Sequence, residues 1–194
     1  PTPFTWRQYW DMMRAANFEE FETAVKQLQQ PYFNILYADA DGQIFYLCGG
    51  RVPVRPSGTW EDWESIIPGH ETGKLWTKTF PYERLPRVKN PATGWLQNAN
   101  DPPWSCTVPE VLRRGDYPVY FSSRQVYTRA QRSIQLMRAD DRVSLEELIK
   151  YKHSTRILLA DRLLDDLIPA VHEHGDEMAK RAADVLEKWD RCTN

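Results

Sequence analysis

Apolar residues recur at helical spacing near both ends of the chain, and prolines interrupt every pattern in the middle. Thr5 with Gln8 three residues on reads as a helix-opening capping box, and Trp6, Trp10 and Met13 follow at helical spacing. Asn17 with Glu20 repeats the signal, with Phe18, Phe21, Val25 and Leu28 on one face and Pro31 as the stop. The period then changes. Phe33 to Cys48 holds two apolar runs around an Asp41-Gly42 turn, which predicts a β-hairpin. From Arg51 to Pro118 the prolines leave only two predicted short strands, Thr93 to Gln97 and around Val119 to Phe121.

Helical spacing returns after Pro118. Thr128 with Gln131 opens one helix, with Ile134 and Met137 on its face. Ser144 with Glu147 opens another, with Leu145, Leu148 and Ile149 as its apolar side. The run Ile157 to Val171 carries Leu158, Leu159, Leu163, Leu164, Leu167 and Ile168. A last helix from Asp176 to Trp189 carries Met178, Ala182, Val185, Leu186 and Trp189. The fold class is therefore α+β, with residues 1–125 as helices, hairpin and loops and 126–194 as a helical segment.

Composition changes this picture in one place. Of 14 prolines and 8 tryptophans in 194 residues, ten prolines and five tryptophans lie between Arg51 and Pro118. Irregular connections of this length are uncommon in a compact domain, and the tryptophans need a surface to pack on. The expectation is that this stretch lies across a body absent from the chain. Charge excludes more than it suggests: 25 Lys and Arg against 27 Asp and Glu give a net charge of -2, with no basic block for nucleic acid. No apolar run approaches the roughly 18 residues of a membrane span, and no signal peptide opens the chain. Pro1 in place of Met suggests a processed chain or an excised segment. Cys48, Cys106 and Cys192 fit no metal spacing and no even disulfide framework.

Few residues suggest chemistry. His172-Glu173-His174 invites a metal, but positions i and i+2 of a helix point to different sides, so a solvated helix end before Gly175 is the better reading. His70 reads as loop surface, and Asp161, Asp165 and Asp166 as the solvent face of a helix. Asp39-x-Asp41-Gly42 lacks the later ligands of a calcium loop and reads as the hairpin turn. Pro1 is not followed by the apolar strand that an N-terminal proline base needs. The informative stretch is Asn90 to Trp104. Asn98 and Asn100 stand past a short apolar run and just before Pro102-Pro103, where a rigidly held amide is suited to donate to a developing oxyanion.

The order of several segments carries a resemblance. The hairpin Asn34-Ile35-Leu36-Tyr37-Ala38-Asp39 with Gly42 and Ile44 comes first, then Gly50-Arg51-Val52-Pro53-Val54-Arg55 and Ile67-Pro68-Gly69. Leu85-Pro86, Asn90-Pro91 with Gly94, Asn98-Ala99-Asn100 and Arg129-Ala130-Gln131-Arg132 follow. Together, over roughly Ala15 to Ala170, they resemble the middle of the β-chain of the penicillin amidase family of N-terminal-nucleophile hydrolases.

That resemblance implies a fragment of a four-layer αββα sandwich. It implies hydrolysis of a linear amide in a β-lactam side chain, an acyl-homoserine lactone or a lipopeptide. The nucleophile is an N-terminal serine whose own α-amine acts as base through a water. By the same resemblance Asn100 is the side-chain oxyanion donor, and Arg129 supports the site electrostatically, with Arg132 as the fallback. The serine, the segment after it and the α-chain are then expected outside this sequence, as its partners, and the segment alone is expected to be inactive. Some family members hold a structural calcium whose ligands cannot be placed here, so no cofactor is assigned. No nucleic acid or membrane partner is expected. Localisation by family analogy is periplasmic or secreted. The alternative from another class is a non-catalytic helical binding module derived from the same fold.

Overall fold

The order of elements follows the periodicity at both ends and departs from it in the middle. The computed structural model describes residues 4–123 and 125–193, in two compact units, Pro1–Val126 and Tyr127–Asn194.

In the first unit, α1 (Thr5–Arg14) and α2 (Phe18–Val25) precede the hairpin β1 (Phe33–Ala38) and β2 (Ile44–Gly49). Asn17 caps α2 by accepting the Glu20 N–H at 2.9 Å, as its sequence signal predicts. The Thr5–Gln8 box does not form. Gln8 is instead buried, and its Oε1 accepts the N–H groups of Gln29 at 2.6 Å and Gln30 at 3.3 Å. The link after α2 would otherwise bury unpaired donors, which costs more than a lost cap at an exposed helix start. Trp6, Trp10 and Met13 consequently point away from this unit's core, Trp6 being 85% exposed. α2 ends at Val25, ahead of Pro31, and Leu28 turns the chain with φ 48°.

The hairpin pairs Phe33 with Gly49 through Ala38 with Ile44. Its turn uses Asp39 locally: Oδ1 accepts the Gln43 N–H at 2.8 Å and Oδ2 the Tyr37 hydroxyl at 2.8 Å, with Gly42 at φ 82°. A third strand, β3 (Arg87–Lys89), pairs antiparallel with β2 and makes β2 central in the order β1-β2-β3. Neither predicted strand, Thr93 to Gln97 nor Val119 to Phe121, is present; both are turns and extended loop. The short α3 (Trp60–Glu64) is an addition, capped by a Thr59–Asp62 box.

β2 is buried on both sides because successive side chains alternate. Phe45 meets Phe18 edge to face at 5.2 Å, and Phe18 and Phe21 both stack near Tyr37. Cys48 on the other side meets the Tyr32 hydroxyl at 2.8 Å, and the Tyr32 ring lies 6.1 Å from Phe121. The proline-rich stretch does not need a body outside the chain for all its packing. It delivers Val52, Phe80, Tyr82, Leu85, Val88 and Cys106 to the same core. Trp104 is buried and Trp63 packs beside that core, although Trp76 and Ile66 remain exposed. Gly50 makes the return possible: at φ 127°, a Cβ there would sit 2.1 Å from the Pro31 carbonyl oxygen.

The second unit contains α4 (Thr128–Arg138), α5 (Leu145–Lys152), α6 (Leu158–His174) and α7 (Glu177–Glu187). The Ser144–Glu147 box forms as read from the sequence, whereas α4 starts without a side-chain cap; α7 gains a cap from Asp176, whose side chain accepts the Ala179 N–H. α6 and α7 share a seam of Ala160, Leu164, Ile168 and Ala183, flanked by Ile157, Val171, Leu186 and Trp189. Leu159, Leu163 and Leu167 of α6, and Leu145, Leu148 and Ile149 of α5, stay exposed. No helix among the described residues is long and apolar enough to cross a membrane.

Candidate functional site

The segment from Asn90 to Thr107 is a loop tied down at both ends. Asn90, at φ 47°, binds the hairpin end three times. Its backbone N–H reaches Ile44 O at 2.9 Å, its Oδ1 accepts Ile44 N–H at 2.9 Å and its Nδ2 donates to Gln43 Oε1 at 2.8 Å. At the far end the Gln97 N–H donates to Cys106 O at 2.8 Å, and the Thr93 and Thr107 hydroxyls meet at 2.5 Å.

Inside the loop, the buried Asp101 organises the turn. Its Oδ1 accepts the Ala99 N–H at 2.7 Å, and its Oδ2 accepts Gln97 Nε2–H at 2.9 Å and the Ser105 hydroxyl. Such a carboxylate holds its neighbours because each lost bond would leave a buried polar atom unpaired. Asn98 completes the turn: its Nδ2 donates to Asp101 O at 3.2 Å and its Oδ1 accepts the Asn100 N–H at 2.9 Å. Pro102 and Pro103 are buried behind it, and Trp104 packs beneath the Arg114 guanidinium at 5.2 Å. Gln97 Oε1 is buried without a hydrogen-bond donor among the described residues.

Asn100 is exposed at the apex, with φ 63°. Asn tolerates the left-handed region better than other residues with a Cβ, and such conformations persist only where the surroundings hold them. Here Asn98 and Asp101 do so. Sequence reasoning found the two asparagines and missed Asp101, Gln97 and Ser105. The available signal was Asp101 followed by two prolines and a serine four residues on, a spacing that lets one carboxylate close a turn.

Arg129 is exposed, at the second position of α4. Arg132, one turn later, is half-buried, and its Nε has no partner among the described residues. Asn100 and Arg129 belong to different compact units, so each is placed only within its own. His172 and His174 diverge as helical spacing requires: His172 Nε2 lies 3.8 Å from Asp184 Oδ1 on α7, and His174 Nε2 lies 3.6 Å from Glu173. His70 is exposed loop, and Asp161 binds Arg156. Pro1 lies outside the described residues. Burial raises the Cys48 thiol to about 11, and burial with the nearby Asp101 carboxylate raises Cys106 to about 12, so neither is a thiolate nucleophile at neutral pH.

Comparison with known proteins gives this geometry a context. The penicillin amidase family matches residues 1–194. The chain is 39% identical over 93 residues to the penicillin G acylase of Escherichia coli, covering 47% of the chain and 10% of that protein. It is 22% identical over 179 residues to the acyl-homoserine lactone acylase PvdQ of Pseudomonas putida, covering 84% of the chain and 23% of that protein. In fold it is similar to the thermostable penicillin G acylase of Alcaligenes faecalis, with a TM-score of 0.62 at 19% identity over 95% of the chain and 32% of that structure. The chain thus spans a third or less of the proteins it matches. The mixed helices and small antiparallel sheet agree with an α+β part of that fold. With its whole length matched, the chain belongs to the penicillin amidase family.

Proposed function

We propose that the chain is the part of an amide-hydrolysing acylase that holds the oxyanion of the tetrahedral intermediate. In this reading a serine supplied by chain outside these residues attacks the amide carbonyl carbon. The carbonyl π electrons move onto oxygen, and the Asn100 carboxamide donates an N–H to the resulting oxyanion. Collapse expels the amine with a proton, and water then releases the acid from the acyl-enzyme. Arg129 is the residue assigned to electrostatic support of the oxyanion, with Arg132 as the second choice. The substrate is a small linear amide, from a β-lactam side chain, an acyl-homoserine lactone or a lipopeptide.

The observation that supports this most is the held geometry of Asn100: exposed, at φ 63°, on a turn fixed from beneath by buried Asp101. An oxyanion donor is effective when its direction is set before the reaction, so that no reorganisation accompanies charge development. Asn100→Ala in the complete enzyme is expected to lower kcat by about 10²–10³ with little change in KM or folding. An unchanged kcat removes Asn100 from the site. The isolated chain is expected to give no turnover of an acyl-homoserine lactone or a β-lactam side-chain amide. Turnover insensitive to serine reagents would overturn the assignment of the nucleophile.

A further inference from the structure

The seam between α6 and α7 carries a cluster of ligand-type side chains that the acylase chemistry does not use. His172 projects from the last turn of α6, and Asp184 and Glu187 from the last turns of α7. One ligand atom from each lies within 4.8 Å of the other two. Asp184 and Glu187 are three residues apart and so share a helix face. His172 faces them across the seam, with Nε2 3.8 Å from Asp184 Oδ1, beyond hydrogen-bond reach.

We infer that His172, Asp184 and Glu187 form a binding site for a zinc-type divalent cation. One imidazole nitrogen and two carboxylate oxygens suit zinc, whereas calcium takes six to eight oxygens. Bonds of about 2.0–2.2 Å place neighbouring ligand atoms roughly 3.5 Å apart, somewhat closer than here. All three side chains are exposed, so rotamer changes close that gap without disturbing the core. The cation also relieves the repulsion between two adjacent carboxylates. Water completes the coordination on the exposed side. The ion then links the end of α6 to α7 beside Ile168 and Ala183, and binding to the folded pair alone raises its stability. His174 is excluded from the site because it turns to Glu173.

The test is isothermal titration of the full chain with ZnCl2 in a non-chelating buffer, with circular dichroism to confirm unchanged helix content in each variant. One saturable site is expected, together with a rise in the Tm of the helical signal. H172A and the D184N/E187Q pair are each expected to weaken binding roughly tenfold or more, since even the loss of an outer-shell partner does so. H174A and C192S are expected to bind as the parent chain does. No saturable binding up to millimolar zinc overturns the inference. So does an affinity unchanged in both H172A and D184N/E187Q, or one lost in H174A or C192S instead.

Discussion

The two compact units place their apolar residues in opposite ways. The first gathers Phe18 from a helix, Phe45 and Leu47 from a central strand and Phe80, Leu85 and Phe121 from irregular chain into one core. The second buries a narrow seam of Ala160, Leu164, Ile168 and Ala183, and leaves Leu159, Leu163, Leu167, Met178 and Val185 outside it. At the far end of α6 it relies on charge: Arg156 pairs with Asp161, Arg191 pairs with Asp161 and Asp165, and Ile157 N–H reaches Arg191 O at 2.9 Å. A sheet with two faces collects side chains from distant segments, because a strand buried on both sides has neighbours above and below. Two helices meet along one stripe, and every other stripe needs another partner.

The largest effects expected from this contrast are core truncations. Phe45→Ala should cost about 3–5 kcal/mol, and Leu164→Ala about 2–3 kcal/mol, because a thin seam collapses more easily around the gap. Hydrogen exchange of β1 to β3 in the first variant and of α6 and α7 in the second measures each loss. Equal losses would erase the distinction. A second test uses the thiols. Cys48 and Cys106 are fully buried and carry raised thiol values, whereas Cys192 is partly exposed. Iodoacetamide on the native chain at pH 8 should label Cys192 alone, and all three cysteines in urea, as read by peptide mass spectrometry. Early labelling of Cys48 would break the picture of a closed core in the first unit.

The smallest effect concerns the charged end of the second unit. The hydrogen bonds from Arg156, with its charge and that of Arg191, hold the Asp161 carboxyl below its ordinary 3.8. A lowered folded value means that the ion pair contributes fully above 3.8 and is lost as pH falls through the folded value. The helical signal should therefore weaken below that pH, and Asp161→Asn should flatten the dependence. The amplitude should be small, because the groups are solvent-exposed and screened. Equal acid sensitivity in the variant would show that the ion pair is not what holds this end.

Much of the fold was legible because its signals are local. Asp41-Gly42 between apolar runs demands a tight turn, and Asn17, Ser144 and Asp176 each satisfy a helix start with their own side chain. The strand β3 was not legible. Arg87-Val88-Lys89 has one apolar position, and its strand character comes from pairing with β2. Thr93 to Gln97 shows the converse. Its apolar residues suggested a strand, yet Gln97 is spent on Asp101 and Ser105 in a turn. At the candidate site the asparagines could be found from sequence and resemblance. The burial of Asp101 beneath them comes from tertiary packing: its spacing to Ser105 signals a local turn, but a carboxylate next to two prolines otherwise reads as exposed loop.

By itself, then, the sequence determined the hairpin, the capped helices and the family to which the ordered segments belong. These depend on neighbours within a few residues or on the order of motifs. Tertiary structure decided that Gln8 serves the backbone of Gln29 and Gln30, that the proline-rich stretch closes over its own sheet and that Asn100 stands on a turn held from within. It also brought His172 to Asp184 and Glu187. Each of these joins residues on separate elements, and burial leaves polar groups only the partners that the fold brings within reach.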